Sequence, residues 1–339
     1  MKKWRFGIVA AITLIGFIYI SRPVRLSKPL QAANRANVFN SSFVQAWYAE
    51  KWNEDKWKEE LSVLKCAGVE ELIIQTTADT KHKRTNYPTD MAGYKYSGVD
   101  MLRNVLDAAD FVGMKIRVGL GFSDDWWLKG ASDKEWLLRE AGYNKDIFNE
   151  IHNRYGKRKS LGGWYIPYEF YQLTAISVGH QSNLNAFLKE IGNEIKSKSD
   201  KDIMVSPFYI TGYSWAMPLK KWTRMIEKSM KNTGIDILAL QDGVGAKNAS
   251  VKELDSLFKA TKNGTDKLGI KLYGNVETFD CISGKNVPAS RERISTQLLA
   301  QKPYVEKFIA FSLNHFQIRE KEAQLNVFIE YLEEDLHSN

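Results

Sequence analysis

This 339-residue chain reads as a closed (β/α)8 barrel. Three observations carry that reading. Eight short apolar runs recur between residues 43 and 313. Amphipathic stretches of helical period lie between them. The repeat fills roughly 300 residues, a length that eight βα units commonly occupy.

The runs fall at 43–47, 71–75, 115–120, 163–167, 202–207, 236–240, 271–276 and 308–313. Each is brief, rich in Ile, Val and Leu, and bounded by polar residues or glycine. Strands buried on both faces of a parallel sheet have this composition. Between them, 55–67 sets Trp57, Leu61 and Leu64 on one face, and 99–112 sets Met101, Leu102, Val105, Leu106 and Ala109. Residues 183–195, 217–230, 251–260 and 292–299 follow the same period. The stretch 320–336 closes the series with Leu325, Phe328, Ile329 and Leu332. Alternating strands and helices require a parallel sheet. An open doubly wound sheet is the alternative. Its phosphate-cradling glycine signature is incomplete here, because Asp124 stands where Gly119-Leu120-Gly121 would need a third glycine.

The N-terminus stands apart. Lys2, Lys3 and Arg5 precede an apolar run from Phe6 to Ile20. The run is short for a spanning helix and suits the apolar core of a signal segment. Ser21-Arg22-Pro23-Val24-Arg25 follows, without a small-x-small cleavage motif. Residues 1–21 are expected to form a signal peptide or membrane anchor, and residues 22–40 a polar linker. Residues 41–337 are expected to form one barrel domain outside the cytoplasm, secreted or held at the cell membrane.

Composition bounds the chemistry. With 44% hydrophobic residues the chain can bury a full core. The net charge of +8 is spread along the chain, without a basic block interleaved with aromatics, so no nucleic-acid partner is expected. Cys66 and Cys281 are too few for a disulfide framework. The five histidines, His82, His152, His180, His315 and His337, are scattered without ligand spacing, so neither a metal nor a cofactor is expected.

In such a barrel the chemistry gathers beyond the C-terminal ends of the strands. Reading those positions in order gives Trp47 and Tyr48, then Gln75, then Asp124-Asp125-Trp126-Trp127. Next come Tyr168-Glu169 after Trp164, Tyr209 and Trp215, Gln241-Asp242, Asn275 with Glu277, and Asn314-His315. Rings, amides and carboxylates dominate, without a cluster of Lys or Arg. Rings stack on the apolar faces of sugars, and amides and carboxylates bond to hydroxyls. A phosphorylated substrate would call for basic residues or helix N-termini. Glu169 and Glu277 stand out, because each ends an apolar run among aromatics. Desolvation there raises a carboxyl pKa, and two carboxylates in unequal surroundings can divide acid and nucleophile roles. Asp242 is expected to orient its neighbours. Asp125 is a candidate helix cap. Trp47, Tyr48, Gln75, Trp126, Trp127, Trp164, Tyr168, Tyr209, Trp215, Gln241, Asn275 and Asn314 are the candidate substrate contacts.

Four stretches also carry a resemblance: Gln45-Ala46-Trp47-Tyr48-Ala49-Glu50-Lys51-Trp52, Trp164-Tyr165-Ile166-Pro167-Tyr168-Glu169, Leu240-Gln241-Asp242-Gly243-Val244-Gly245 and Asn275-Val276-Glu277-Thr278-Phe279. In this order they resemble the family catalogued as domain of unknown function 4434, over about residues 40–335. That family is regarded as a glycoside-hydrolase-like TIM barrel. The layout is similar to clan A glycoside hydrolases, family 5 among them. The resemblance implies an acid/base glutamate ending strand four and a nucleophile glutamate ending strand seven, the positions of Glu169 and Glu277. The pattern departs at Tyr168, where family 5 carries Asn, and at Gln75, where it carries Arg. It departs again at Gln241 and Asp242, where His and Tyr are usual, and at Asn314-His315 in place of Trp. Endoglucanases encoded beside bacterial cellulose synthases share this layout, which implies association with an exopolysaccharide synthase at the membrane.

The expectation is therefore a retaining, endo-acting glycoside hydrolase of a β-linked, cellulose-like glucan. A barrel that binds glycan without cleaving it is the alternative. A basic surface protein that binds an anionic polymer is a third reading.

Overall fold

The computed structural model describes residues 38–317. Eight parallel strands close into a barrel. They are β1 (Ser41–Val44), β2 (Glu71–Ile74), β3 (Lys115–Gly119), β4 (Leu161–Tyr165), β5 (Asp202–Val205), β6 (Ile237–Gln241), β7 (Lys271–Glu277) and β8 (Lys307–Phe311). The ring closes where β1 pairs with both β2 and β8. All eight expected strands are present, most of them slightly shorter than their apolar runs.

The outer layer holds α1 (Glu54–Cys66), α2 (Met101–Val112), α3 (Lys134–Tyr155), α4 (Val178–Lys198), α5 (Leu219–Met230), α6 (Val251–Asp266) and α7 (Arg291–Gln301). Side-chain caps start most of them. The side chains of Asn53, Asp100, Asp133, Ser177 and Ser290 each accept an N–H of the first turn. Ser250 and Glu253 form a capping box on α6. Helix α3 is not among the stretches that periodicity marks, and its buried face shows why. Glu140 and Asn144 lie on that face beside Trp136, Leu137 and Ile147, and break the apolar pattern.

Two small sheets decorate the C-terminal rim. Ala78–Asp79, Arg84–Thr85, Lys95–Tyr96 and Gly121–Phe122 form one, and Phe279–Ile282 pairs with Lys285–Pro288 in the other. Val38 and Phe39, inside the expected linker, are buried, so packed structure begins before residue 41. The apolar run at 6–20 and the helix expected at 320–336 lie outside the described residues. No helix among the described residues is long and apolar enough to cross a membrane.

The core has two layers. The larger lies between strands and helices. The smaller fills the barrel with Phe43, Ile73, Tyr165, Met204, Ile237, Ala239, Tyr273 and Ile309. Below it Arg117 pairs with Glu71 at 3.1 Å, and Gly163 leaves room for the guanidinium, which a Cβ there would displace. Side chains alternate along each strand. The inward parity that places Ile73, Met204, Ala239 and Tyr273 inside therefore aims Gln75, Ser206, Gln241, Asn275 and Glu277 at the C-terminal mouth.

Candidate active site

Glu169 lies four residues beyond β4 and is half-buried. Its backbone is pinned from behind, because Trp126 Nε1 donates to the Glu169 carbonyl at 2.6 Å. The preceding ring is pinned as well. Tyr168 donates to Glu140 Oε2 at 2.6 Å, and Thr80 donates to the same oxygen at 2.5 Å. The side-chain amides of Gln75 and Gln241 lie beside the Glu169 carboxyl and favour its charged form. Gln241 also donates to the Ser206 carbonyl at 2.9 Å, which fixes its orientation. Desolvation outweighs the two amides and pushes Glu169 up to about 7.

Glu277 ends β7 and is 5% exposed. The loop after β6 wraps it. Ala246 N–H donates to Glu277 Oε2 at 2.6 Å. A Cβ on Gly245 would collide with the Phe279 carbonyl and press on Glu277, so only glycine fits this turn. Asp242, fully buried, accepts from the backbone N–H of Glu277 at 3.3 Å and of Val244 at 3.2 Å with one oxygen. Its other oxygen accepts from Gln297 at 2.5 Å and Gln301 at 3.0 Å. Arg293 completes the ladder on α7. It donates to Gln297 Oε1 at 2.8 Å and to the carbonyls of Glu277 and Phe279 at 3.0 and 2.7 Å. Burial and the neighbouring Asp242 charge both push Glu277 upward, and Arg293 opposes them. Asp242 is itself pushed up by burial, against its donors. Glu169 also acts on Glu277 through charge, so the two acids share one electrostatic site.

The expected contacts divide into two groups. Gln75 and Gln241 meet at Glu169, Asp242 orients β7, and Asn275 donates to Ser206 Oγ at 3.0 Å within the mouth. Trp47, Trp127 and Trp215 are 67%, 51% and 78% exposed on the rim. Tyr48 is half-buried, edge-on to Trp47 and tilted 4.2 Å from His315. The remainder are not placed to touch a substrate. Trp164 faces outward, fully buried against Phe148, with its Nε1 on Ser199. Trp126 and Tyr168 are buried supports of Glu169 rather than sugar platforms. Tyr209 is buried against Trp222 and donates to the Met217 carbonyl at 2.8 Å. Asn314 turns its amide to Glu60 on α1. Asp125 makes no side-chain cap; it and Asp124 each pair with Lys81 at 2.8 Å.

Several residues at the site escape the strand-end reading. Tyr165 lines the barrel within electrostatic reach of Glu169. Glu140 reaches the site from α3, and Arg293, Gln297 and Gln301 from α7. The fourfold spacing of the last three, one face of a helix, is the sequence signal for them. Among the described residues no group of three or more His, Cys, Asp or Glu is arranged to hold a metal ion.

The family model described as Domain of unknown function (DUF4434) matches residues 40–323. Comparison with curated proteins gives no match. Among solved structures, a Bacteroides thetaiotaomicron protein provisionally described as an alpha-L-fucosidase is 23% identical. It covers 91% of this chain and 98% of its own, with a TM-score of 0.72. An endo-1,4-beta-mannanase from Rhizomucor miehei is 11% identical over 89% of this chain and 96% of its own, with a TM-score of 0.60. A chitinase from Pseudoalteromonas aurantia is 12% identical over 88% and 99%, with a TM-score of 0.53. At these identities the likeness is one of fold.

Proposed function

This chain belongs to the DUF4434 family, and we infer that its function resides in the carboxyl pair at the C-terminal mouth of the barrel. We propose that it is a glycoside hydrolase acting by retention on the interior of a β-linked, cellulose-like glucan, with Glu169 as acid/base and Glu277 as nucleophile. The observation that carries this is the pair of carboxyls at the C-terminal mouth in one electrostatic site, Glu169 raised to about 7 and Glu277 raised by burial and Asp242. The exposed tryptophans on the rim support a polymeric sugar, and the glycosidases that share the fold support the reaction class.

In this reading Glu277 bonds to the anomeric carbon while the glycosidic bond breaks, and the Glu169 proton passes to the leaving oxygen. Water then attacks the same carbon, its proton passes to Glu169, and the bond to Glu277 breaks. A carboxyl near 7 holds a proton often enough at neutral pH to donate it, and releases it readily enough to take the next one. The substrate would be met outside the cytoplasm, with the 6–20 run as membrane anchor and an exopolysaccharide synthase as neighbour. Membrane fractionation of the full chain tests the anchor.

One observation favours a second reading, a barrel that binds glycan without cleaving it. Asp242 pushes Glu277 toward its protonated form, and a protonated carboxyl does not attack. Reducing-end release from a panel of soluble β-glucans, with Glu169→Gln and Glu277→Gln as controls, decides between them. Release that both substitutions abolish supports the hydrolase, and an α- or β-anomer as first product reports inversion or retention. Saturable binding without release supports the binding barrel.

A further inference from the structure

The end of β7 is held from outside the barrel by one side chain. Arg293 stands in the first turn of α7, where the Ser290 hydroxyl accepts its backbone N–H at 3.3 Å. Its side chain is 17% exposed and reaches toward β7. One Nη donates to the carbonyls of Glu277 and Phe279, at 3.0 and 2.7 Å. Glu277 is the last residue of β7 and Phe279 the first of the rim hairpin, so this group grips the point where the strand leaves the barrel. The other Nη donates to Gln297, and Nε faces the Asp280 carboxylate on the hairpin at 3.2 Å. The guanidinium is thus shared between the buried Asp242 cluster and a half-buried acid on the rim.

Two routes lead from this one group to the Glu277 carboxyl. The first runs through Gln297, which donates to Asp242, which in turn accepts the Glu277 N–H. The second runs through the hairpin. Asp280 ties its first strand to Arg293, and the next residue, Cys281, donates its N–H to the Gly245 carbonyl at 3.0 Å. Gly245 precedes Ala246, whose N–H meets Glu277 Oε2. A planar group with five N–H donors can serve carbonyls, an amide and a carboxylate together, whereas an ammonium is a point charge on a flexible stem. The charged groups that act on Glu277 are Asp242 after β6, Glu169 after β4 and Arg293 on α7. Of these three, Arg293 alone favours ionisation.

We propose that Arg293 is the positioning residue of Glu277. Its guanidinium locks the end of β7, the Asp242 carboxylate and the rim hairpin into one unit that aims the carboxyl into the mouth. The assignment rests on the hydrolase reading above, in which Glu277 is the nucleophile.

The test uses the full chain as Arg293→Met, Arg293→Lys and Asp280→Asn, with carbon-13 titration of the Glu277 carboxyl and with kcat and KM on a soluble β-glucan. Arg293→Met removes the cation and keeps an apolar stem. Its Glu277 midpoint is expected to rise, and kcat to fall by roughly 10- to 100-fold with KM little changed. Arg293→Lys keeps the charge and loses the planar fork, so the midpoint holds while kcat still falls. Asp280→Asn leaves more of the Arg293 charge to Glu277, so the midpoint falls, and kcat falls less than in Arg293→Met. A role in folding alone gives a different pattern. Loosening of the strand exposes Glu277 and lowers its midpoint in all three variants, and that result overturns the proposal. Full kcat in Arg293→Lys overturns it as well. If wild type releases no reducing ends, the hydrolase reading falls, and the titrations still decide the role of Arg293.

Discussion

The two sides of the barrel mouth hold a carboxyl by opposite means. On the β4 side, Glu169 meets two neutral amides, Gln75 and Gln241, and its backbone is braced by rings. On the β7 side, Glu277 meets a backbone N–H and stands over another carboxylate, Asp242. Burial raises both. Only Glu277 is raised further by a like charge, and only Glu277 has a ladder from α7 to contain that charge. One acid is tuned by solvent exclusion, the other by a neighbour that a single substitution can remove.

The sharpest way to break this comparison is to remove each carboxyl. Glu169→Gln and Glu277→Gln are both expected to lower polymer cleavage by about 10²–10⁴ or more. They should separate on a substrate whose leaving group needs no proton, such as a nitrophenyl glycoside. There Glu169→Gln recovers most of its bond-breaking rate in burst-phase kinetics, and Glu277→Gln does not. Equal recovery of both variants would remove the distinction between acid and nucleophile.

A smaller effect appears in stability. Glu169 has a folded pKa of about 7 against an ordinary value of 4.5. The folded state thus binds this proton more tightly than the unfolded chain. The associated stability is fully present below pH about 4.5 and is lost as pH rises through about 7, up to roughly 3 kcal/mol for a shift of this size. Urea midpoints of wild type should fall between pH 5 and pH 8. The fall should be shallower in Glu169→Gln, and not absent, because Glu277 is raised too. An equal fall in both proteins would mean that Glu169 is not desolvated.

These contrasts were unevenly legible in the sequence. All eight strands were readable because strands buried on both faces concentrate apolar residues in short runs. Glu169 and Glu277 were readable because they end such runs. Strand parity removes Trp164 from the candidate contacts. Trp164 and Tyr165 are adjacent, so one faces the helices and the other the barrel, and a count from the inward Gly163 selects Tyr165. Trp126 and Tyr168 look like sugar platforms until α3 is seen to bring Glu140 and Trp136 against them. That helix was hidden by its own buried Glu140 and Asn144, the residues that brace the site. The α7 ladder was hidden because polar residues at helical spacing ordinarily mark the solvent face.

The most specific test of the comparison is Asp242→Asn. Attack requires Glu277 ionised, and the Asp242 charge makes that ionisation harder. Removing the charge lets Glu277 lose its proton at lower pH, so the acidic limb of the kcat/KM profile should move down. The limb set by Glu169 should not move down with it, because its shift comes first from burial and an ionised Glu277 opposes its ionisation. The substitution has a structural cost. Asp242 accepts four N–H groups, and an asparagine amide would turn a donor toward some of them, at about 1–3 kcal/mol. Carbon-13 titration of the Glu277 carboxyl separates the two effects, since it reads ionisation in the folded protein whether or not catalysis survives. A Glu277 midpoint that falls while that of Glu169 does not fall with it would establish that the β7 acid is set by its neighbour. Midpoints that both stay fixed would assign both acids to burial alone, and the two sides of the mouth would then be tuned in the same way.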